Sequence, residues 1–235
     1  MALHRKFDAL LRLNPDVAVI SECASPEQLA VRGLEFEDVS GPVWIGNNRH
    51  KGLAVFGFNG YCVRPAVEIG YRLRHIVPVH VEGPVSFNLL GVWALNIQGG
   101  FSRKHQIGPL RRAISRYSTF LTERPGLVAG DLNHNVFWDK PGWRNNHQGS
   151  VDRLAQLGLV SAYHTLSGEE QGSETAPTIY WRDRTKDGPT YHIDYIFLPL
   201  PWVPRVREFS IGSFEQWCGS GLSDHVPLVL EVDIT

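Results

Sequence analysis

The sequence predicts an α/β protein in which two mainly antiparallel β-sheets pack face to face and are flanked by helices. Three observations carry this expectation. Strand-like runs alternate with helical periodicity along the chain, and they fall into two groups with helices between and around them. The 235 residues, 43% hydrophobic and 20% charged, can bury a large core. No repeat or low-complexity tract interrupts them, so one domain is expected over residues 1–235.

The elements follow in order. Leu3, Phe7, Leu10 and Leu11 fit an amphipathic helix that Asn14-Pro15 terminates, and Asp16 to Glu22 then reads as a buried strand ending on a carboxylate. Gly52 to Phe58, Tyr71 to Val81 and Val85 to Asn96 are β-rich, with Asn59-Gly60 and Glu82-Gly83-Pro84 as turns, so the first half reads as one antiparallel sheet. Lys104 to Thr122 carries Ile107, Leu110, Ile114, Tyr117 and Leu121 at mostly helical spacing, stopped by Pro125-Gly126. The strand Leu127-Val128-Ala129 ends in Gly130-Asp131-Leu132-Asn133. Val151 to Leu157 is a short helix. Leu159 to Tyr163, Thr178 to Trp181, Tyr191 to Leu198 and Val226 to Val232 supply the remaining strands.

Bulk properties exclude some classes of function. A formal net charge of -1 gives no global attraction for polyanions, so such a substrate would be met by local charge or metal. Cys23, Cys62 and Cys218 are odd in number and share no metal-type spacing, which argues against a disulfide framework. No leader pattern or membrane-length apolar run is present, and a cytoplasmic location is expected.

The polar residues then concentrate on strand ends. Glu22 and Asp131 each follow a strand, Asn133 lies two residues on, Asp194 interrupts an apolar strand and Asp224-His225 precedes the last one. Taken alone, Asp131 and Asn133 also fit an Asx turn, Asp194 a structural salt bridge, and Glu22 a loop cap. If they converge, four carboxylates and an imidazole meet at one rim, which needs a cation to neutralise it. The oxygen-rich, thiol-free set favours magnesium, with manganese a possible substitute, and hence phosphoester chemistry.

Ser223-Asp224-His225-Val226-Pro227-Leu228, Gly130-Asp131-Leu132-Asn133, His192-Ile193-Asp194-Tyr195-Ile196 and the strand-terminal Glu22 together resemble the ordered signature of the endonuclease/exonuclease/phosphatase superfamily. Leu157 to Tyr163 resembles a further family segment. The resemblance spans nearly the whole chain and implies a four-layer α/β sandwich. It also implies roles: Glu22 and Asp224 at the metal, Asp131 activating water, Asn133 on the scissile phosphate, and Asp194 orienting His225 for transition-state stabilisation.

Two positions depart from the family. Its opening strand, ending in a Trp-Asn or similar pair, has no counterpart ahead of Lys6. The chain is expected to start at an internal methionine of a longer reading frame, the alternative being a short form with an open sheet edge and a weaker metal site. Asn96 stands near the place where relatives carry a phosphate-contacting tyrosine or histidine.

Asn135 and Trp181 are further candidates for substrate contact, and Trp138 and Trp143 lie in the loop after the Asp131 motif, where aromatic faces beside cations suit nucleobases. Core packing or loop anchoring fits each tryptophan at least as well. The expected activity is magnesium-dependent phosphodiester hydrolysis, with DNA or RNA as substrate and no membrane insertion or obligate protein partner. The alternatives are a phosphatase or phospholipase on inositol or sphingolipid phosphoesters, or a non-catalytic binding module with an incomplete metal site.

Overall fold

The computed structural model describes residues 3–34, 36, 39–66, 73, 75–95, 103–181 and 185–234. Strand β3 (Lys51–Gly57) pairs antiparallel with β1 (Val17–Cys23) on one side and β2 (Ser40–Asn48) on the other. A six-stranded sheet has the spatial order β4 (Cys62–Pro65), β5 (Ile76–Glu82), β6 (Phe87–Trp93), β7 (Gly126–Asp131), β11 (Asp194–Pro199), β8 (Leu159–Ser161). Its one parallel pairing, β6 with β7, is allowed by the long helical crossover between them. Two short ribbons complete the strands: β9 (Ile179–Tyr180) with β10 (Thr190–Tyr191), and β12 (Val206–Ile211) with β13 (Leu228–Val232).

Strand alternation places the core in three slabs. On β3, Leu53 and Val55 face the interior between the sheets with Val77, Val79, Leu89 and Trp93, while Ala54 and Phe56 face the opposite side with Leu3, Phe7, Leu10 and Leu29. Those outer residues come from the N-terminal turn, α1 (Phe7–Leu11) and α2 (Pro26–Val31). On β6, Leu90 and Val92 point the other way, onto Leu110 and Ile114 of α3 (Pro109–Arg116), Leu121 of α4 (Ser118–Glu123) and Leu154 of α5 (His147–Gln156). Helix, sheet, sheet and helix therefore stack in four layers, as the resemblance implied.

Several expectations are corrected. The first half does not form one sheet: β3 and β4 flank the Asn59-Gly60 turn but enter opposite sheets, because β3 is fully occupied by β1 and β2. The pattern around 104–122 is two helices, broken at Tyr117, whose φ of -101° and ψ of 21° end α3. Leu159 to Tyr163 is a strand only as far as Ser161, after which α6 (Ala162–Ser167) begins. Asp194 opens β11 rather than interrupting it, and β10 belongs to a separate ribbon. Strands β2 and β12 and helix α2 escape the periodicity reading altogether.

One feature of the packing positions the site. Edge strand β1 and edge strand β13 both line a single cavity of about 960 Å³, floored by Leu89, Leu127, Ala129 and Ile196 of the six-stranded sheet. Glu22, Asp131, Asp194, Asp224 and His225 line it as well.

Candidate active site

Two neighbouring strands deliver the two central carboxylates. Asp131 ends β7, Asp194 begins β11, and the antiparallel register sets them directly opposite each other. Side chains of an opposed pair stand only about 5 Å apart at Cβ, and like charges there repel. Asp131 is 3% exposed. Burial, reinforced by the Asp194 charge, holds its carboxyl well above the usual aspartate range, against the lowering pull of His225 and the Asn133 N–H.

Asn133 adopts the left-handed conformation, φ 47°, that asparagine tolerates. It thereby donates its backbone N–H to Asp131 Oδ1 and its Nδ2 to Asp131 Oδ2, both at 2.7 Å. The Asx turn and the candidate catalytic arrangement are the same object. Both carboxylate oxygens are held in a fixed plane.

His225 approaches from the entry to β13. Its Nδ1 lies 2.8 Å from Asp194 Oδ2. Burial opposes its protonation, but Asp194, Asp131 and Asp224 outweigh burial and raise the imidazole to about 9. The ring is therefore an imidazolium at neutral pH, with Nδ1–H donated to Asp194. The candidate ligand atoms of Asp131, Asp194 and His225 all lie within 4.8 Å of one another, but an imidazolium has no lone pair to give, so a cation here rests on the two carboxylates unless it displaces a proton from His225.

A residue that motif reading missed ties this arrangement together. Thr178, fully buried, accepts the N–H groups of Ile193 at 3.0 Å and Asp194 at 3.1 Å on its hydroxyl oxygen, while its carbonyl accepts Val226 N–H at 2.9 Å. One threonine thus sets the start of β11 against the segment carrying His225. Ile179 adds a β-bridge to His225, and Ser223 Oγ accepts the His225 N–H at 3.2 Å.

Glu22 reaches the cavity from β1 at a bulge between Ser21 and Cys23, with φ 59°. Bulges re-aim side chains beside sites. Its carboxylate pairs with Lys51 Nζ at 2.7 Å, and although burial opposes ionisation, Lys51 holds it below the usual glutamate range. Lys6 of the N-terminal segment also faces the acids. Burial lowers its ammonium, while Asp224, Cys23, Glu22 and Asp194 pull it back up. Neither lysine carries a sequence signal, because their roles depend on which strands lie beside them. Asp224 lines the same cavity, and its carbonyl accepts Tyr180 N–H at 2.8 Å.

The other candidates lie elsewhere. Asn135 is 4% exposed and turned inward, its Nδ2 within 3.1 Å of Glu174 Oε2, His192 O and Tyr195 Oη, and its Oδ1 accepting Phe137 N–H at 2.7 Å. Trp181 is exposed at the end of β9. Asn96 lies outside the described residues.

The acids fit a hard divalent ion. Cys23, the nearby sulfur, has its thiol pushed up to about 12 by burial, so it offers no thiolate, and the donors that remain are carboxylate oxygens. Among the described residues no helix is long and apolar enough to cross a membrane.

No family model matches this chain, and no curated protein matches it. Solved structures do. The 3' phosphatase NExo from Neisseria, bound to a product DNA hairpin, superposes with a TM-score of 0.66 at 15% identity, over 99% of this chain and 96% of its own. The AP endonuclease from Leishmania major gives 0.67 at 13% identity, over 97% and 80%. An AP endonuclease from Archaeoglobus fulgidus gives 0.66 at 15% identity, over 99% and 94%. Identities this low carry the backbone arrangement and nothing finer, and the arrangement shared across nearly the whole of this chain is the endonuclease/exonuclease/phosphatase fold.

Proposed function

We propose that the protein is a magnesium-dependent phosphodiesterase acting on nucleic acid by direct attack of water. The observation that carries this reading is the Asp131–Asn133 and Asp194–His225 pairs meeting in one cavity, each carboxylate with a different task set by its partner. Phosphodiester hydrolysis requires a base for the attacking water and positive charge for the oxygens that gain charge in the transition state. Asp131, buried and raised in proton affinity, is the base, and Asn133 keeps its oxygens aimed. His225, doubly protonated because Asp194 holds Nδ1–H, has Nε2–H to donate to a nonbridging phosphate oxygen.

Glu22 and Asp224 are the residues that would hold the ion, whose contribution when bound is to neutralise phosphate charge and stabilise the leaving oxygen. The Lys51–Glu22 ion pair supplies positive charge next to that carboxylate. The fold shared with the DNA-bound Neisseria phosphatase and with AP endonucleases supports nucleic acid as the substrate class.

The test is hydrolysis of bis(p-nitrophenyl) phosphate and of end-labelled oligonucleotides with magnesium, with manganese and with EDTA. Metal-dependent cleavage that falls at least a hundredfold in His225→Ala is expected. Cleavage unaffected by EDTA, or equal in His225→Ala, would sink the assignment.

A further inference from the structure

We infer that a row of four aromatic rings beside the site, Phe137–Trp138–Tyr191–Trp181, is a stacking platform for unpaired nucleobases next to the scissile phosphate. The substrate class is then a strand with unstacked bases: single-stranded, gapped or overhanging nucleic acid. This deepens the proposed phosphodiesterase reading and rests on it for the meaning of the site. The platform itself is tested by binding alone.

The row is continuous. Ring centroids are 6.3 Å apart for Phe137–Trp138, 4.8 Å for Trp138–Tyr191 and 6.2 Å for Tyr191–Trp181, with planes inclined at 78°, 52° and 60°, so the rings meet edge to face or steeply tilted and each offers its own face to a base. Its two ends are solvent-facing: Phe137 is 72% exposed and Trp181 44%. Single exposed apolar residues are ordinary, but exposed rings at both ends of a connected row mark a binding surface.

The platform is also held rigidly. Phe137 N–H is bound by Asn135 Oδ1 at 2.7 Å, and Asn135 is itself anchored to Glu174, His192 and Tyr195. Trp138 donates its N–H to Asn135 O at 3.1 Å, and its carbonyl accepts Arg103 Nη2 at 3.0 Å. Trp181 N–H is bound to Pro189 O at 2.9 Å. Asn135 thereby acts as a positioning residue for the aromatic turn. A preorganised surface of this kind loses little freedom when a ligand stacks on it.

Register with the site sets the ligand. Tyr191 precedes Asp194 by three residues, so this inner member of the row lies within about 11 Å of it, a few nucleotides along a strand. Asn135, which carries the turn, follows Asn133 by two. One cation reaches the row: Arg103 Nη2 donates to the Trp138 carbonyl at 3.0 Å. Aromatic rings with a cation beside them suit a phosphate strand with exposed bases. In a continuous duplex both faces of each base are already stacked, which leaves the rings nothing to cover.

The experiment uses the full chain in EDTA and measures anisotropy of three labelled 12-mers: oligothymidylate, an abasic tetrahydrofuran strand with the same phosphates, and a blunt duplex. Oligothymidylate should bind roughly tenfold or more tighter than the abasic strand and the duplex. Phe137→Ala and, separately, Trp138→Leu should remove that preference while leaving abasic-strand binding unchanged. Phe137 is exposed enough for the first variant to keep its fold, which circular dichroism checks. Equal affinity for the three strands, loss of all binding alike in the variants, or no binding at all overturns the platform. So does a change in sedimentation of Phe137→Ala, which would make the row a protein contact. Bis(p-nitrophenyl) phosphate turnover by the unaltered chain, with magnesium and with EDTA, separately decides the phosphodiesterase reading.

Discussion

At the residue scale, chemistry here is made by pairing rather than by identity. His225 is an ordinary histidine until Asp194 stands 2.8 Å from Nδ1, and Asp131 an ordinary aspartate until burial and an opposed carboxylate raise it. With the imidazole at about 9, the alkaline limb of the pH–rate profile should fall near pH 9 if His225 acts protonated. Asp194→Asn removes the main raising charge, so that limb should move toward the ordinary histidine value of about 6.5, with a rate loss of about 10²–10⁴-fold at pH 8. An unmoved limb would show that a different group titrates. Thr178→Val keeps the shape but strips the acceptor from Ile193 and Asp194 N–H. It should lower kcat more than it raises KM, because it displaces Asp194 rather than any substrate contact. The motif residues were readable in the sequence because strand ends with acids are visible there. Thr178, Lys6 and Lys51 were not, because nothing local distinguishes a threonine or lysine that happens to face the site from one that faces water.

At the element scale, β6 and β7 approach each other closely at Gly130. Gly130 has φ 134°, and a Cβ there would sit 2.0 Å from the Val92 carbonyl oxygen. Gly130→Ala should therefore cost roughly 3 kcal/mol or more in urea unfolding, since the backbone atom it meets cannot move aside without breaking the parallel ladder. A loss below 1 kcal/mol would mean the sheet relaxes around it. Periodicity located the strands that are buried on both faces, such as β3 and β6, because their apolar runs are long. It missed the half-exposed ones. β2 is half exposed and interrupted by register shifts, β12 carries charged residues on its open side, and α6 starts inside an apolar run that reads equally well as strand.

At the scale of the whole molecule, buried titratable groups behind the site couple stability to pH. Burial first, then nearby positive charge, lowers His134 to about 3. Burial lowers His147 to about 4. Both are neutral in the fold and protonate near 6.5 in the unfolded chain, so their contribution is present above pH 6.5 and is lost as pH falls toward 4 and 3. Glu174 has the carboxylate sign: burial opposes its ionisation, but His164 and the Gly172 N–H hold it at about 2, so its contribution is present above 4.5 and is lost as pH falls through 2. Urea midpoints should therefore decline steadily from pH 7 to pH 4, and His147→Phe should flatten the decline. A flat wild-type profile would contradict these buried states. The sequence by itself determined the α/β class, the order of the motifs and the identities of the acids, because these depend on local periodicity and on residue type. Only the tertiary structure decided that β3 and β4 part into different sheets, that Asp131 opposes Asp194 in register, that Asn135 turns inward, and that aromatic rings from the turn after β7 and from the β9–β10 ribbon form one row. Each is a relation between segments distant in the chain, set by strand pairing and packing, which no local pattern encodes.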